Sequence, residues 1–193
     1  LPGTRGEAEQ VSLTLPETGV TAVVEKAQAS SLEYRVDLPE TLAYLRSVLE
    51  PLGCALFSPI PGALCAFFDF GKEDAIAFRS DADALPIQEQ TGLPFASTHP
   101  GKMHACGHDG HMSMVLDLAV WLDSQNDLNH NVLLIFQPAE ETTGGAKTVC
   151  ESGVFERYGA DRIFGFHVWP DLPANTLASC SGPLLARSSE THV

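Results

Sequence analysis

The sequence feature that most constrains the fold is a run of five apolar residues, Val132–Phe136, inside a chain of 193 residues. A run this short and this uniformly apolar is typical of a strand that is covered on both faces. Two segments of the same length that are rich in apolar residues, Ala75–Arg79 and Ile163–His167, predict further strands, separated by segments with helical spacing. Strands that alternate with helices indicate an α/β fold whose sheet is parallel at least in part.

Local patterns predict the remaining elements. Apolar residues recur at helical spacing in 41–52 and 110–122, which we expect to be helices. We expect a third helix over 144–152, ended by Gly153. Two apolar runs, Ala63–Phe70 and Ala75–Arg79, flank the turn-forming residues Gly71–Asp74 and predict a β-hairpin. The segment Leu177–Cys180 predicts one more strand, and residues 20–35 fit either a helix or a strand.

Composition excludes several classes of protein. The chain has 25 acidic and 11 basic residues, a net charge of −14, which argues against a nucleic-acid partner because phosphate binding needs a basic face. No apolar run approaches the roughly 18 residues that a membrane span requires. The five cysteines are scattered and do not indicate a disulfide framework, and the N-terminal residues lack an export signal. We therefore expect a cytoplasmic protein without a membrane partner.

Chemically reactive side chains follow the predicted strands. They are carboxylates and one imidazole from three strand ends: Asp81, Asp83, Glu140, Glu141 and His167. In open α/β sheets, ligands bind beyond the carboxyl ends of the strands. We therefore expect these side chains to meet at one edge of the sheet.

The densest group of potential metal ligands lies between His104 and His111, before a predicted helix. A thiol and several imidazoles within eight residues form a ligand set that suits zinc and neighbouring divalent metals. Two glycines allow a tight turn that would let Cys106 and His108 face one centre. The alternative is a loop with solvated or helix-capping histidines, and a structural role is favoured for His104 and His111.

The adjacent carboxylates Glu140 and Glu141 would repel each other unless a positive charge lies beside them. A metal ion resolves this repulsion, because one carboxylate can be its ligand while the other takes a proton from the attacking water. Helix capping is the alternative for this pair. Asp83 can fix the orientation of a ligating histidine by accepting its ring N–H, or it can be a turn residue. For His167 the alternatives are a metal ligand and a core histidine.

Four segments, taken in order, resemble signatures of the metal-dependent amidohydrolases, or aminoacylases, of the M20-type metallopeptidases. Residues 78–89 resemble RADMDALPIQE, and MHACGHDGH (103–111), FQPAEE (136–141) and FHVWP (166–170) match three further signatures. The family includes hippurate hydrolases, N-acyl-L-amino acid amidohydrolases, N-acetyl-diaminopimelate deacetylases and auxin-conjugate hydrolases. The resemblance covers residues 40–193.

This resemblance implies a zinc-exopeptidase-like catalytic domain, with a mostly parallel sheet sandwiched by helices, of which only the N-terminal part is present. We expect residues 1–30 to be loosely ordered and residues 31–185 to form that part of the catalytic domain. Residues 186–193 would begin the connection to a lid and dimerisation domain that is absent. A homodimer of the family's kind would need that lid.

The resemblance also implies hydrolysis of the amide bond of N-acyl amino acids or small peptides. The water would be bound by two divalent ions, of zinc, manganese, cobalt or nickel, with Glu140 as the general base. The metal ligands that it implies are Cys106, His108, Glu141 and His167. Asp83 would orient a ligating histidine by accepting the ring N–H that faces away from the metal.

Two other interpretations remain open from the sequence. The chain can be a non-catalytic fragment that binds metal or a partner, since the lid and the last metal ligand of the family are missing. It can also be an amidase that uses the Cys106 thiol as its nucleophile with a nearby histidine. Dependence of activity on metal distinguishes these interpretations from the amidohydrolase.

Overall fold

A computed structural model describes residues 10–14, 21–25, 38–97, 100–142 and 144–184. The elements in chain order are β1 (Gln10–Thr14), β2 (Thr21–Glu25), α1 (Pro39–Leu49), β3 (Ala55–Phe57), β4 (Leu64–Phe68), β5 (Ala75–Asp81), α2 (His108–Asp123), β6 (Asn131–Gln137), α3 (Gly145–Glu151), α4 (Val154–Tyr158) and β7 (Ala160–Gly165). The main sheet has the strand order β3–β4–β6–β5–β7. Strand β5 is parallel to β6 and β7, whereas β4 is antiparallel to β3 and β6. The predicted α/β fold is confirmed, with a mixed sheet.

Strand β6 is the centre of the core. All seven of its residues are buried, which confirms the prediction made from the apolar run. Val132, Leu134 and Phe136 belong to the apolar cluster on the α1 and α2 side of the sheet. Leu133 and Ile135 belong to the cluster on the α3 and α4 side. The alternation follows from the two-residue period of a strand, so β6 needs helices on both faces.

Helices α1 and α2 cover one face of the sheet with side chains that are spaced four residues apart. Helix α1 buries Leu45 and Leu49, and helix α2 buries Met112 and Leu116 against the same face of the sheet. A spacing of four places such side chains on one side of a helix. The three predicted helices are therefore present, with ends that differ from the prediction by one to three residues.

The predicted hairpin between the fourth and fifth strands is wrong. Strand β6 lies between β4 and β5, so the residues around Gly71 connect two strands that do not pair. The connection instead folds onto Asn131, whose side-chain oxygen accepts the backbone N–H of Phe70 at 2.8 Å and of Lys72 at 3.2 Å. The turn residues describe a local bend correctly, but the burial of β6 on both faces decides which strands are neighbours.

Three further expectations differ from the structure or fall partly outside it. Strand β7 ends at Gly165, so His167 lies two residues beyond the strand rather than closing it. No strand forms over Leu177–Cys180, which the structure describes as irregular. Strands β1 and β2 form an antiparallel pair within the segment 1–30, while the remainder of that segment and residues 186–193 lie outside the described part.

Within the described ranges, no helix has the length and apolar character that crossing a membrane requires.

Candidate metal centre

The carboxyl ends of β5 and β6 bring four carboxylates to the first residue of α2. His108 is buried, and its Nε2 atom lies 3.6 Å from Asp81 Oδ2, 3.6 Å from Glu141 Oε1 and 3.7 Å from Glu140 Oε2. Asp83 lies behind the ring, with Oδ1 at 3.5 Å from Nδ1. The parallel register of β5 and β6 produces this meeting, because Asp81 is paired with Gln137 and both strands end at the same edge.

A thiol and a second imidazole complete the group. Cys106 Sγ lies 3.4 Å from His167 Nε2. The other ring nitrogen of His167, Nδ1, is 2.7 Å from the Val168 carbonyl, so Nδ1 carries the proton and Nε2 presents its lone pair to the thiol. Cys106, His108 and His167 each place a ligand atom within 4.8 Å of the others.

Asp83 supports the site in two ways. Its backbone carbonyl accepts the Nδ1–H of His108 at 2.7 Å, which leaves the Nε2 lone pair of His108 facing the carboxylates. Its carboxylate Oδ2 accepts the backbone N–H of Glu141 at 2.9 Å. The orientation of His108 that we expected from the carboxylate thus comes mainly from the main chain of the same residue, and the carboxylate fixes the turn that carries Glu141.

The donor atoms fit a divalent cation. His108 Nε2 and Glu141 Oε1 are buried and have no hydrogen-bond partner among the described residues, which is uncommon for buried polar atoms. Bonds of 2.0–2.3 Å in a tetrahedral zinc site place neighbouring donors about 3.3–3.8 Å apart. The distances of 3.4 Å between Cys106 and His167 and of 3.6 Å between His108 and Glu141 fall in this range.

The electrostatics of the cluster favour a cation as well. Burial and the neighbouring carboxylates Glu141 and Glu140 raise the pKa of the Cys106 thiol to about 12. Burial and the charge of Glu141 also raise the pKa of Glu140 above its usual value. Burial contributes most to both shifts and the neighbouring carboxylates add to it, and a bound cation would stabilise the ionised forms. A thiol that is neutral at pH 7 would need the Nε2 atom of His167 to take its proton before it could act as a nucleophile, so the cysteine-amidase interpretation is still separated from the metal site by the metal dependence of activity.

The turn that carries Glu140 and Glu141 is unusually tight. Ala139 has a φ of 56°, in the left-handed region that residues with a side chain rarely occupy. Gly145 packs directly on the start of this turn, where a Cβ atom would lie 1.9 Å from the Pro138 carbonyl oxygen. Such strain is maintained only where the surrounding structure requires it, and it commonly marks functional turns.

His111 lies beside the cluster, but both of its ring nitrogens are used by the protein. Its Nδ1 donates to Asp81 Oδ1 at 2.6 Å, and its Nε2 accepts the backbone N–H of Val168 at 3.0 Å. Asp81 also accepts a hydrogen bond from Arg79 Nη1 at 2.8 Å. Burial opposes ionisation of Asp81, yet the hydrogen bond from His111 and the charge of Arg79 lower its pKa to about 2.

Sequence reasoning missed the part that Val168 plays. The sequence puts Asp81 at the correct edge without indicating a role for it, and it presents Val168 only as a neighbour of His167. No local pattern predicts a contact between residues 57 positions apart, such as the one between Val168 and His111.

The segment that carries this edge of the sheet is similar to proteins of one known family. The family model described as Peptidase family M20/M25/M40 matches residues 77–182. An N-acetyldiaminopimelate deacetylase of Leuconostoc citreum is 47% identical over 136 residues, which are 69% of this chain and 35% of that protein. A protein of the same name from Listeria monocytogenes is 40% identical over 179 residues, 93% of this chain and 44% of that protein.

Among solved structures, the chain is similar to a Bacillus subtilis protein described as a dinuclear metal binding peptidase from the M20 family. The sequences are 45% identical, the TM-score is 0.64, and the match covers 69% of this chain and 38% of the other. The chain therefore spans less than half the length of these relatives.

Proposed function

The chain belongs to peptidase family M20/M25/M40, and from that premise we propose that it carries the metal centre of an amidohydrolase acting on N-acyl amino acids. The observation that carries the proposal is the convergence of one thiol, two imidazoles and two glutamates at one edge of the sheet. The names of the Leuconostoc and Listeria relatives favour an N-acetylated amino acid as the substrate.

The metal ligands that we propose are Cys106, His108, Glu141 and His167. Their mixed sulfur, nitrogen and oxygen donors suit zinc, manganese, cobalt or nickel. The similarity to the dinuclear Bacillus subtilis peptidase supports two ions. When bound, such ions polarise an amide carbonyl and lower the pKa of a coordinated water. The contribution of the protein is to hold the donor atoms at the spacing that the metal requires.

Glu140 is the proton carrier in this proposal. Its side chain is 40% exposed and so open to a substrate, while its Oε2 atom lies 3.7 Å from His108 Nε2. A carboxylate that is open to a substrate and lies beside the proposed ligands can take up a proton and release it again. Glu140 removes a proton from the attacking water and gives it to the leaving amine.

The test is the isosteric variant Glu140→Gln in the protein that carries this chain. Acetate release from N-acetyl amino acids should fall about 10²–10⁴-fold, the usual contribution of a general base. Metal content, measured by mass spectrometry, should not change, because Glu140 is not a proposed ligand. Glu151→Gln, on an exposed side chain of α3, serves as the matched control and should keep full activity. Turnover by Glu140→Gln at the wild-type rate would contradict the assignment of the base.

A second candidate is a metal- or partner-binding role without catalysis. The observation that favours it is the extent of the match, which reaches only 35–44% of the length of the two deacetylases. Stoichiometric metal binding without acylase activity in any of zinc, manganese, cobalt or nickel would support this candidate. Activity that a chelator removes and metal restores would exclude it.

A further inference from the structure

We propose that His111 is a positioning residue that holds the loop after β7 on the start of α2, so that His167 reaches Cys106. The inference rests on the proposed metal centre, in which His167 and Cys106 are ligands. His111 itself would not touch the metal, because both of its ring nitrogens are engaged by Asp81 and Val168.

The hydrogen bonds define one protonation form of His111. The backbone N–H of Val168 can only donate, so Nε2 of His111 must be the acceptor of the 3.0 Å bond. The proton of the ring is then on Nδ1, where it is donated to Asp81 Oδ1 at 2.6 Å. Asp81 is in turn held by Arg79, whose Nε donates to Gln137 at 2.8 Å. The loop is thereby tied to the ends of β5 and β6.

Packing provides a second hold on the same loop. Gly107 has a φ of 79° and approaches the Val168 side chain so closely that a Cβ atom there would lie 2.3 Å from Val168 Cγ2. Gly110, one turn further along, is also in contact distance of Val168, since its Cβ position lies 3.8 Å from Cγ1. Val168 therefore rests against the glycine that separates the two proposed ligands of this segment.

The loop has little else to fix it. His167 lies beyond the last paired residue of β7, and the described residues from 161 to 184 are exposed. The ring of His167 packs edge-on against His111, with centroids 4.5 Å apart. Without the bond from Val168 to His111, only the packing of Val168 on the two glycines and of His167 on the His111 ring would hold His167 near Cys106.

The test compares two substitutions of His111 that differ in reach. In His111→Asn, the amide can still donate to Asp81 but is too short for Val168. In His111→Gln, the amide oxygen can take the place of Nε2 and accept the Val168 N–H. The control is His130→Asn, because His130 also binds an aspartate through Nδ1, at 2.9 Å from Asp74, but at the opposite end of β5.

Each protein is titrated with Co²⁺ and followed by the thiolate-to-cobalt absorption of Cys106. We expect His111→Asn to bind Co²⁺ about 10- to 100-fold more weakly, the size of loss that is usual when a residue that orients a metal ligand is removed. His111→Gln should recover most of this loss, and His130→Asn should bind as the wild type does. Equal affinity in His111→Asn and the wild type would overturn the proposal, as would equal losses in His111→Asn and His111→Gln.

Amide hydrogen exchange of Val168 in the metal-free wild type provides a test that does not depend on metal or on a foldable variant. The proposal expects Val168 to be protected, whereas Asp171 and Ala174, which are exposed residues further along the same segment, exchange quickly. Exchange of Val168 at an unprotected rate would refute it. If the wild type gives no thiolate-to-cobalt band, the proposed function fails, and the exchange of Val168 still decides whether the loop is held.

Discussion

Replacing Gly145 with alanine tests whether the turn before α3 positions the two glutamates. The added Cβ would lie 1.9 Å from the Pro138 carbonyl oxygen and 3.1 Å from that of Ala139. Non-bonded carbon and oxygen atoms need about 3.2 Å or more, so the carbonyl of Pro138 must move by roughly 1.3 Å. The obstruction is backbone, which has no rotamer with which to move aside.

The sign of the stability change separates two effects. Alanine is a better helix former than glycine by up to about 1 kcal/mol, so helix propensity alone predicts that Gly145→Ala is more stable. Overpacking of a fixed site typically costs about 1–3 kcal/mol, so the clash predicts that it is less stable. For a chain of this size, a loss of 2 kcal/mol lowers the melting temperature by about 4–8 °C.

The effect on function should exceed the effect on stability. A shift of the turn breaks the 2.9 Å bond between the Glu141 N–H and Asp83 and moves the Glu141 carboxylate away from His108. Misplacement by about 1 Å can cost 10²-fold in activity. Thermal unfolding measures the effect on stability, whereas Co²⁺ titration and acetate release measure the effect on function. Ala146→Gly is the control for helix propensity at the next, exposed position. A Gly145→Ala protein that melts at or above the wild-type temperature and binds Co²⁺ equally well would refute the reasoning about the turn.

Three other predictions follow from the structure. Lowering the pKa of Asp81 from 3.8 to about 2 corresponds to about 2 kcal/mol of stability, present above pH 4 and lost as the pH falls towards 2. Metal-free Asp81→Asn should therefore melt lower than the wild type at pH 7, with the difference shrinking towards pH 2. Leu134→Ala removes a fully buried side chain and should cost about 2–5 kcal/mol in denaturant unfolding, whereas Leu177→Ala, at a residue 78% exposed, should change stability by less than about 0.5 kcal/mol. In metal-free protein at pH 7, a thiol reagent followed by peptide mass mapping should label the exposed Cys150 well before Cys106, whose pKa is raised to about 12; equal rates would contradict the charge argument.

The sequence predicts those parts of the fold that depend on local periodicity. Strand β6 is predictable because burial on both faces makes a strand apolar throughout. Helices α1, α2 and α3 are predictable because burial on one side places apolar residues three or four positions apart. The pairing of β4 with β6 is not, because strand order depends on which strand must be covered on both faces. The side chain of Asn131 accepts the backbone N–H groups of Phe70 and Lys72, which lie about 60 residues away along the sequence.

The sequence predicts which edge of the sheet holds the candidate site, but it predicts few of the contacts that orient its side chains. Asp83, Cys106, His108, Glu140 and Glu141 come together because β5 and β6 are parallel and α2 begins at the same edge. The roles assigned to these residues remain predictions, since they depend on a metal ion. What the sequence could not provide is the support behind them: the backbone carbonyl of Asp83 and the loop contact of Val168.

The charge of the site links its geometry to the cation that it is proposed to hold. Asp81, Asp83, Glu140 and Glu141 lie around one buried imidazole, and Arg79 is the cation that pairs with one of them within the described residues. Two divalent ions would supply four positive charges, which equals the charge of these four carboxylates. Because like charges this close raise the cost of folding, the ions would stabilise the turn after β6 and the loop after β7 together. On this reasoning the bond between Val168 and His111 places His167 in advance, so that less ordering remains when the metal binds.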